Sequence, residues 1–315
     1  MIVRDRPDMS VAVTSFNRRD LLMEGLAVLD RQSLRLQVIV ADDGSTDGSV
    51  QAVEARWPEV TLLANESGRS NGVARQLRLA YERAVCRHLA SFDEDFHLRD
   101  ADALERLLRY FDDPRVAVVA IPFRDVLVGE NLQQTAPSAL GTWQRYTFTG
   151  NGYLIDLDRY RTVGGYYDWY QSYRQEEDLA MRFLARDWIV RVIPSGIEGD
   201  HYRRPGQLGA TARFRSARND LLFYWQYAPC LYLVPYLWLT ILRNLADGRR
   251  EADVLTRLKG LLGAPAHGYR NRVHRQPVST RAFLRYRKIK RAGILRADAV
   301  VGPHLPAAPL APSRS

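Results

Sequence analysis

The strongest constraint on this chain is an alternation in its first 121 residues. Short apolar, β-branched runs give way to helix-periodic stretches and then return. Val11–Thr14, Gln37–Ala41, Val60–Leu63, Leu89–Phe92 and Val116–Ile121 have the length and composition of buried strands. Helices are expected from about Asp20 to Asp30, from a Ser45-Thr46-Asp47-Gly48 cap toward Trp57, from Asn71 to about His88, and from about Asp100 to Phe111. Strands that alternate with helices are joined by right-handed crossovers, which produce a mainly parallel sheet. The expected fold class is therefore α/β, Rossmann-like, with flanking helices. Ligands of such sheets collect at the carboxyl ends of strands. Each polar cluster of this half falls at such an end.

The later sequence is less regular. Residues 123–148 read as loop with short strands, Gly150-Asn151-Gly152 as a turn, and Tyr153-Leu154-Ile155 as a strand. A second turn is Gly164-Gly165-Tyr166-Tyr167-Asp168, and Glu176 to Arg186 reads as a helix with acids at its start, where the dipole favours them. Val190 to Pro194 is the last core strand. The expected division is a catalytic domain over 1–205, a helical aromatic and basic extension over 206–302, and a disordered Pro/Ala-rich tail over 303–315.

Three acidic clusters and one histidine carry the candidate chemistry. Asp43, in Asp42-Asp43-Gly44-Ser45, can accept hydrogen bonds from a ribose or a base, although Asp-Gly also makes turns. Asp93-Glu94-Asp95 packs three repelling acids at a strand end, and magnesium or manganese relieves such repulsion through oxygen ligands. Alternation along a strand puts Asp93 and Asp95 on one side and Glu94 on the other. Glu176-Glu177-Asp178 offers a carboxylate able to deprotonate a hydroxyl, or simply acids that complement a helix dipole. His201 is a metal ligand only if acids lie beside it in space.

Taken in order, these pieces resemble the family 2 glycosyltransferases with the GT-A fold. The resemblance runs through Val13-Thr14-Ser15-Phe16-Asn17-Arg18, Asp42-Asp43-Gly44-Ser45, Gly72-Val73-Ala74-Arg75 and Phe92-Asp93-Glu94-Asp95. Gly164-Gly165-Tyr166, Glu176-Glu177-Asp178 and His201 extend it, so that it covers roughly residues 9–205. The resemblance implies an inverting transferase that uses a nucleotide-sugar donor and a divalent metal. Ser15, Phe16 and Asp43 would hold the nucleoside, with Asn17 in the same run, and Arg75 would contact the nucleotide. Asp93 and Asp95 would match the family's DxD, which binds ribose and a metal-bridged diphosphate, and His201 would complete the metal shell. The family often places an arginine six residues after its base. Counting back from Arg182 gives Glu176, whereas matching the letters Glu-Asp gives Asp178, and Glu177 lies between them. Spacing favours Glu176. The implied acceptor is a saccharide or a lipid-linked glycan. The alternative is a catalytically inactive nucleotide-binding or scaffold protein that keeps the fold.

The remaining third has a different character. Leu221 to Leu242 carries no formal charge, and it is interrupted by Pro229 and Pro235. Basic residues flank it on both sides, which gives a single crossing no consistent orientation. The chain's net charge is +9, and the segment from Arg243 to Arg296 carries fifteen Lys/Arg against three acids. A pair of helices lying on an anionic membrane surface is the preferred reading, with a packed hairpin or a homodimer contact as the alternative. No recognised nucleic-acid module is visible, so no nucleic-acid partner is expected. Cys86 and Cys230 give no disulfide framework, and no early apolar run marks a signal peptide. The expected location is the cytoplasm, peripheral at the inner membrane.

Overall fold

The computed structural model describes residues 1–3, 5–67, 70–203 and 209–298. The expected disordered tail over 303–315 lies outside them. The described strands are β1 (Met9–Ser15), β2 (Leu36–Asp42), β3 (Thr61–Ala64), β4 (His88–Asp93), β5 (Phe96–Leu98), β6 (Val116–Ala120), β7 (Phe123–Asp125), β8 (Gly129–Gln133), β9 (Trp143–Arg145), β10 (Gly152–Asp156), β11 (Ile189–Val192), β12 (Gly199–His201) and β13 (Ile294–Arg296). The helices are α1 (Arg19–Asp30), α2 (Ser49–Arg56), α3 (Val73–Arg83), α4 (Ala103–Leu108), α5 (Leu157–Thr162), α6 (Gln175–Leu184), α7 (Ala210–Tyr227), α8 (Cys230–Arg250), α9 (Val254–Arg270) and α10 (Thr280–Ala292).

The main sheet runs β13-β9-β11-β6-β10-β4-β1-β2-β3. Strands β3, β2, β1 and β4 are parallel, as the alternation requires. Strand β10 enters antiparallel between β4 and β6, because it arrives from the Gly150-Asn151-Gly152 turn rather than from a crossover helix. A second sheet, β5-β12-β7-β8, stands beside it. Its strands lie within or border the stretches that sequence periodicity left irregular.

Apolar residues from both faces of the main sheet form two cores. Val11, Val38, Phe92 and Val119 lie in one, and Ile39, Leu89, Val118 and Ile155 in the other. Strands that are buried on both sides read as continuous apolar runs, which is why they were legible. Helix α3 stops at Arg83, earlier than its periodicity implied. Ala84 is extended, and the chain turns through Cys86 into β4.

The extension does not stand apart from the sheet. Phe223, Tyr224 and Tyr227 of α7 and Phe283, Tyr286 and Ile289 of α10 share a core with Met181 and Leu184 of α6. Strand β13 joins the edge of the main sheet against β9. Pro229 separates α7 from α8 as expected, but Pro235 lies inside α8. It removes one N–H, and because Pro235 and Leu231 are both exposed, the carbonyl it frees lies on a solvent-facing side. Among the described residues no helix is long and apolar enough to cross a membrane.

Candidate active site

The two sheets meet at the acidic cluster. β4 ends at Asp93, the chain turns through Glu94 and Asp95, and β5 begins. β12 pairs with both β5 and β7, which places His201 opposite Phe96 and Asp125. Asp95 Oδ1 lies 3.4 Å from His201 Nε2, and the Nδ1 of the same ring is 2.5 Å from Asp125. Arg18 pairs with Asp95 and lies 3.5 Å from Glu94. Thr14 Oγ1 donates to Asp93 at 2.8 Å.

Packing acids this closely moves their protonation. Burial, reinforced by Asp95, pushes the Asp93 carboxyl up to about 6. Burial, with Asp93 and Asp95 adding, pushes Glu94 to about 8. Burial opposes ionisation of Asp95 too, but His201 and Arg18 hold its carboxyl below the usual range. For His201, burial is outweighed by Asp95 and Asp125, which raise its pKa.

Asp95 and His201 fit a divalent cation in donor chemistry. The Asp125 carboxylate behind the far ring nitrogen is the arrangement that orients histidine ligands. Asp93 is turned toward Thr14, and no set of three or more metal-binding side chains converges among the described residues. Magnesium and manganese commonly take one or two protein carboxylates and fill the remaining positions with phosphate and water. A two-donor protein shell is compatible with that habit.

The other nucleotide candidates line the neighbouring strand ends. The Asp43 N–H donates to the Ser15 carbonyl at 2.8 Å, joining the ends of β1 and β2. Asn17 ties the same two loops, since its Oδ1 accepts from the Thr46 N–H at 2.8 Å. Phe16 is exposed. Asp43 is already engaged by the chain: it accepts from Ser70 Oγ at 2.5 Å, Asn71 N–H at 2.8 Å, Gly72 N–H at 3.1 Å and Gln76 Nε2 at 2.8 Å. It therefore shapes the loop before α3. Arg75 is exposed on a cleft of about 440 Å³ that Asn65, Asn71 and Gln76 also line. The Ser15 hydroxyl is buried without a partner among the described residues.

Helix α6 separates its three acids. Glu177 is bound by Arg174, by Tyr286 and by Lys290 at 2.6 Å. Asp178 is fully buried and accepts from Arg182 and Tyr227, each at 2.5 Å. Glu176 makes no ion pair among the described residues and accepts from Gln175 Nε2 at 2.8 Å. It lies against Gly150, where a Cβ would come within 2.3 Å of its Oε1. A side chain at position 150 would push that carboxylate from its place. Burial, with Asp93 adding, lifts Glu176 to about 7.

The loop entering α6 is strained. Gln171, Tyr173 and Arg174 all have positive φ, at 62°, 65° and 72°. Asn219 of α7 holds it: its Nδ2 donates to the carbonyls of Tyr170, Ser172 and Tyr173 at 3.0, 2.8 and 3.0 Å. On the opposite side the Ala74 N–H donates to the Gln171 carbonyl at 3.1 Å. Gly72, at φ +93°, passes so close that a Cβ would meet that oxygen at 2.7 Å.

Sequence reasoning missed Arg18, Thr14, Asp125, Asn151 and Asn219. Asn151 is buried, both its amide atoms are unpaired among the described residues, and its carbonyl accepts from the Asp93 N–H at 3.0 Å. A glycine-flanked asparagine reads as a turn, and nothing local marks it as part of a site.

Comparison with known proteins decides what this arrangement belongs to. Glycosyl transferase family 2 matches residues 10–178, more than half of the chain. The chain belongs to that family. Among solved structures, the mannosyltransferase PcManGT from Pyrobaculum calidifontis, in complex with GDP-Man and Mn2+, superposes at TM-score 0.56 and 20% identity, over 91% of this chain and 84% of that one. TarS 1–349 from S. aureus, in complex with UDP-GlcNAc, gives TM-score 0.60 and 16% identity, over 81% and 79%. At these identities the likeness speaks for the fold. No curated protein sequence matches. This family 2 glycosyltransferase thus carries its acidic cluster where the GT-A sheet ends.

Proposed function

We propose that the protein is an inverting glycosyltransferase that moves a sugar from a nucleoside-diphosphate sugar to a hydroxyl of a saccharide or lipid-linked glycan, with Glu176 as the base. One observation carries the assignment: of the three acids opening α6, Glu176 alone makes no ion pair among the described residues and is only half-buried. The Glu176 carboxylate takes the proton of the acceptor hydroxyl as that oxygen attacks the anomeric carbon. The bond from that carbon to the diphosphate oxygen breaks, and the nucleoside diphosphate leaves with the electron pair. One base without an opposing nucleophile makes this a single displacement with inversion.

Asp95 and His201 would hold magnesium or manganese, which supplies charge stabilisation at the departing diphosphate. Asp125 fixes the His201 ring. Arg18, paired with Asp95, adds positive charge at the acidic cluster where the phosphates would lie. Ser15, Asp43 and Arg75 line the nucleotide side, and the unpaired amide of Asn151 is available to a donor hydroxyl. Donor-dependent sugar transfer that disappears in Asp95→Ala and in metal-stripped protein tests the reading. Full turnover under either condition contradicts it.

The protein works in the cytoplasm at the inner membrane surface in this reading. The support is an apolar face on α8 and α9, where Leu231, Trp238, Leu242, Leu262 and Tyr269 are all more than half exposed. Exposed Arg249, Arg250, Lys259 and Arg270 rim it, and anionic headgroups would meet them. The aromatic surface is smaller than the uncharged stretch implied, because Phe223, Tyr224 and Tyr227 are core residues. The basic surface is reduced as well, since Arg285 pairs with Asp187 and Lys290 with Glu177. The same face would serve a homodimer instead.

A further inference from the structure

A cavity of about 470 Å³ opens beside Glu176. Thr147, Arg174 and Glu176 line it together with Ser216, Arg243, Asp247 and Arg257. Half of its lining therefore comes from α7, α8 and α9, beyond residue 178 where the family match ends. None of Asp93, Asp95 and His201 borders it. Glu176 lines this cavity, and the charge of Asp93 is near enough to add to the rise in its pKa.

We propose that this cavity is the acceptor site, and that the extension outside the family match selects a neutral, polyhydroxylated saccharide. The inference rests on Glu176 being the base. Displacement with inversion brings the acceptor hydroxyl to the anomeric carbon from the face opposite the leaving group, within reach of the base. The cavity is a space next to Glu176 that the acidic cluster does not line.

Its lining sets the ligand class. Guanidinium donors and carboxylate acceptors both line it. Arg243 pairs with Asp220 at 2.7 Å and remains partly exposed, while Asp247 lies a loose 3.8 Å from Arg250. A sugar hydroxyl is both donor and acceptor, so a ring of hydroxyls can bond to both kinds of group. An alkyl chain would strip these groups of water and return no hydrogen bond. An anion would meet Asp247, Asp220 and Glu177 as well as the arginines. The contrast with a second cavity is direct: about 300 Å³ between Leu222, Trp225, Leu237 and Ala264, on another face of α7, is almost wholly apolar. The base faces the polar cavity.

The test uses the full-length protein, a donor found by screening nucleotide sugars for nucleotide release, and three acceptor probes: octyl glucoside, octyl maltoside and octanol. Transfer to a glycoside and not to octanol is expected. Ser216→Trp, which fills the cavity, and Asp247→Ala, which only trims its rim, should each raise the glycoside KM at least tenfold and leave the donor KM within twofold. The donor KM shows that each variant is folded. Octanol serving as well as the glycosides, no glycoside accepting while the donor is hydrolysed, or an unmoved glycoside KM in both variants overturns the acceptor assignment alone. No nucleotide release from any donor overturns the transferase reading, and this inference with it.

Discussion

The proposed donor side and the proposed base side of this site are built in different ways. On the donor side the functional groups sit where strands stop. Ser15 ends β1, Asp43 follows β2, and Asp93 ends β4, so the parallel register itself sets their spacing. On the base side nothing comparable exists. Glu176 opens a helix reached through three left-handed residues, and Asn219, more than forty residues later, bonds to three carbonyls of that loop. The donor side is therefore largely a property of the sheet. The base side is a property of how the extension packs on it, and the extension is where an acceptor-specific enzyme can vary without disturbing the donor.

If that division is right, damage to the two sides separates in kinetics. The largest effect is expected from Glu176→Gln, which should cut turnover by about 10²–10⁴-fold and leave donor affinity nearly unchanged. Glu177→Gln or Asp178→Asn giving that pattern instead would move the base. Next comes Asp178→Ala. It leaves Arg182 buried without its partner and should cost about 3–5 kcal/mol of stability in urea unfolding. A variant of wild-type stability would show that the pair is not needed to hold α6.

Asn219→Ala is smaller and sharper. Three carbonyls lose a donor, so stability should fall by about 1–3 kcal/mol. The kcat should fall too, with donor Kd unmoved, because the loop positions the base and not the nucleotide. A change confined to donor affinity would join the two sides that we separate. The smallest effect is at the membrane face. Replacing Arg249, Arg250 and Lys259 with Gln should weaken binding to anionic liposomes by about 1 kcal/mol per residue at low salt, whereas Trp238→Ala should weaken it at all salt concentrations. Intact protein that ignores such liposomes at low salt would assign that face to a subunit contact.

The same division explains what was legible in the sequence. Strand-end acids are local features, so Asp43, Asp93 and Asp95 stand out as candidates from runs and spacing. His201 was readable as a candidate, but its partner Asp125 sits in a three-residue strand that periodicity cannot detect. Three consecutive acids at the start of α6 point in different directions, about 100° apart, and only their partners distinguish them. Of those partners, Arg174 and Arg182 are local, while Tyr227, Tyr286 and Lys290 come from the extension. The count of basic residues from Arg243 to Arg296 was right, but a count carries no direction, and Arg285 and Lys290 turn inward. Pro235 looked like a break because sequence does not show which carbonyls water can reach.

The central claim is that Glu176, held by the extension, takes the acceptor's proton. The pH dependence of kcat/KM tests it most directly, since it reports groups that titrate in the free enzyme. Glu176 is lifted to about 7, and a base works only when deprotonated, so activity should rise with pH and level off above that value. In Glu176→Gln the residual activity should lose that limb. A limb near 7 that survives the substitution would belong to another group and contradict the account.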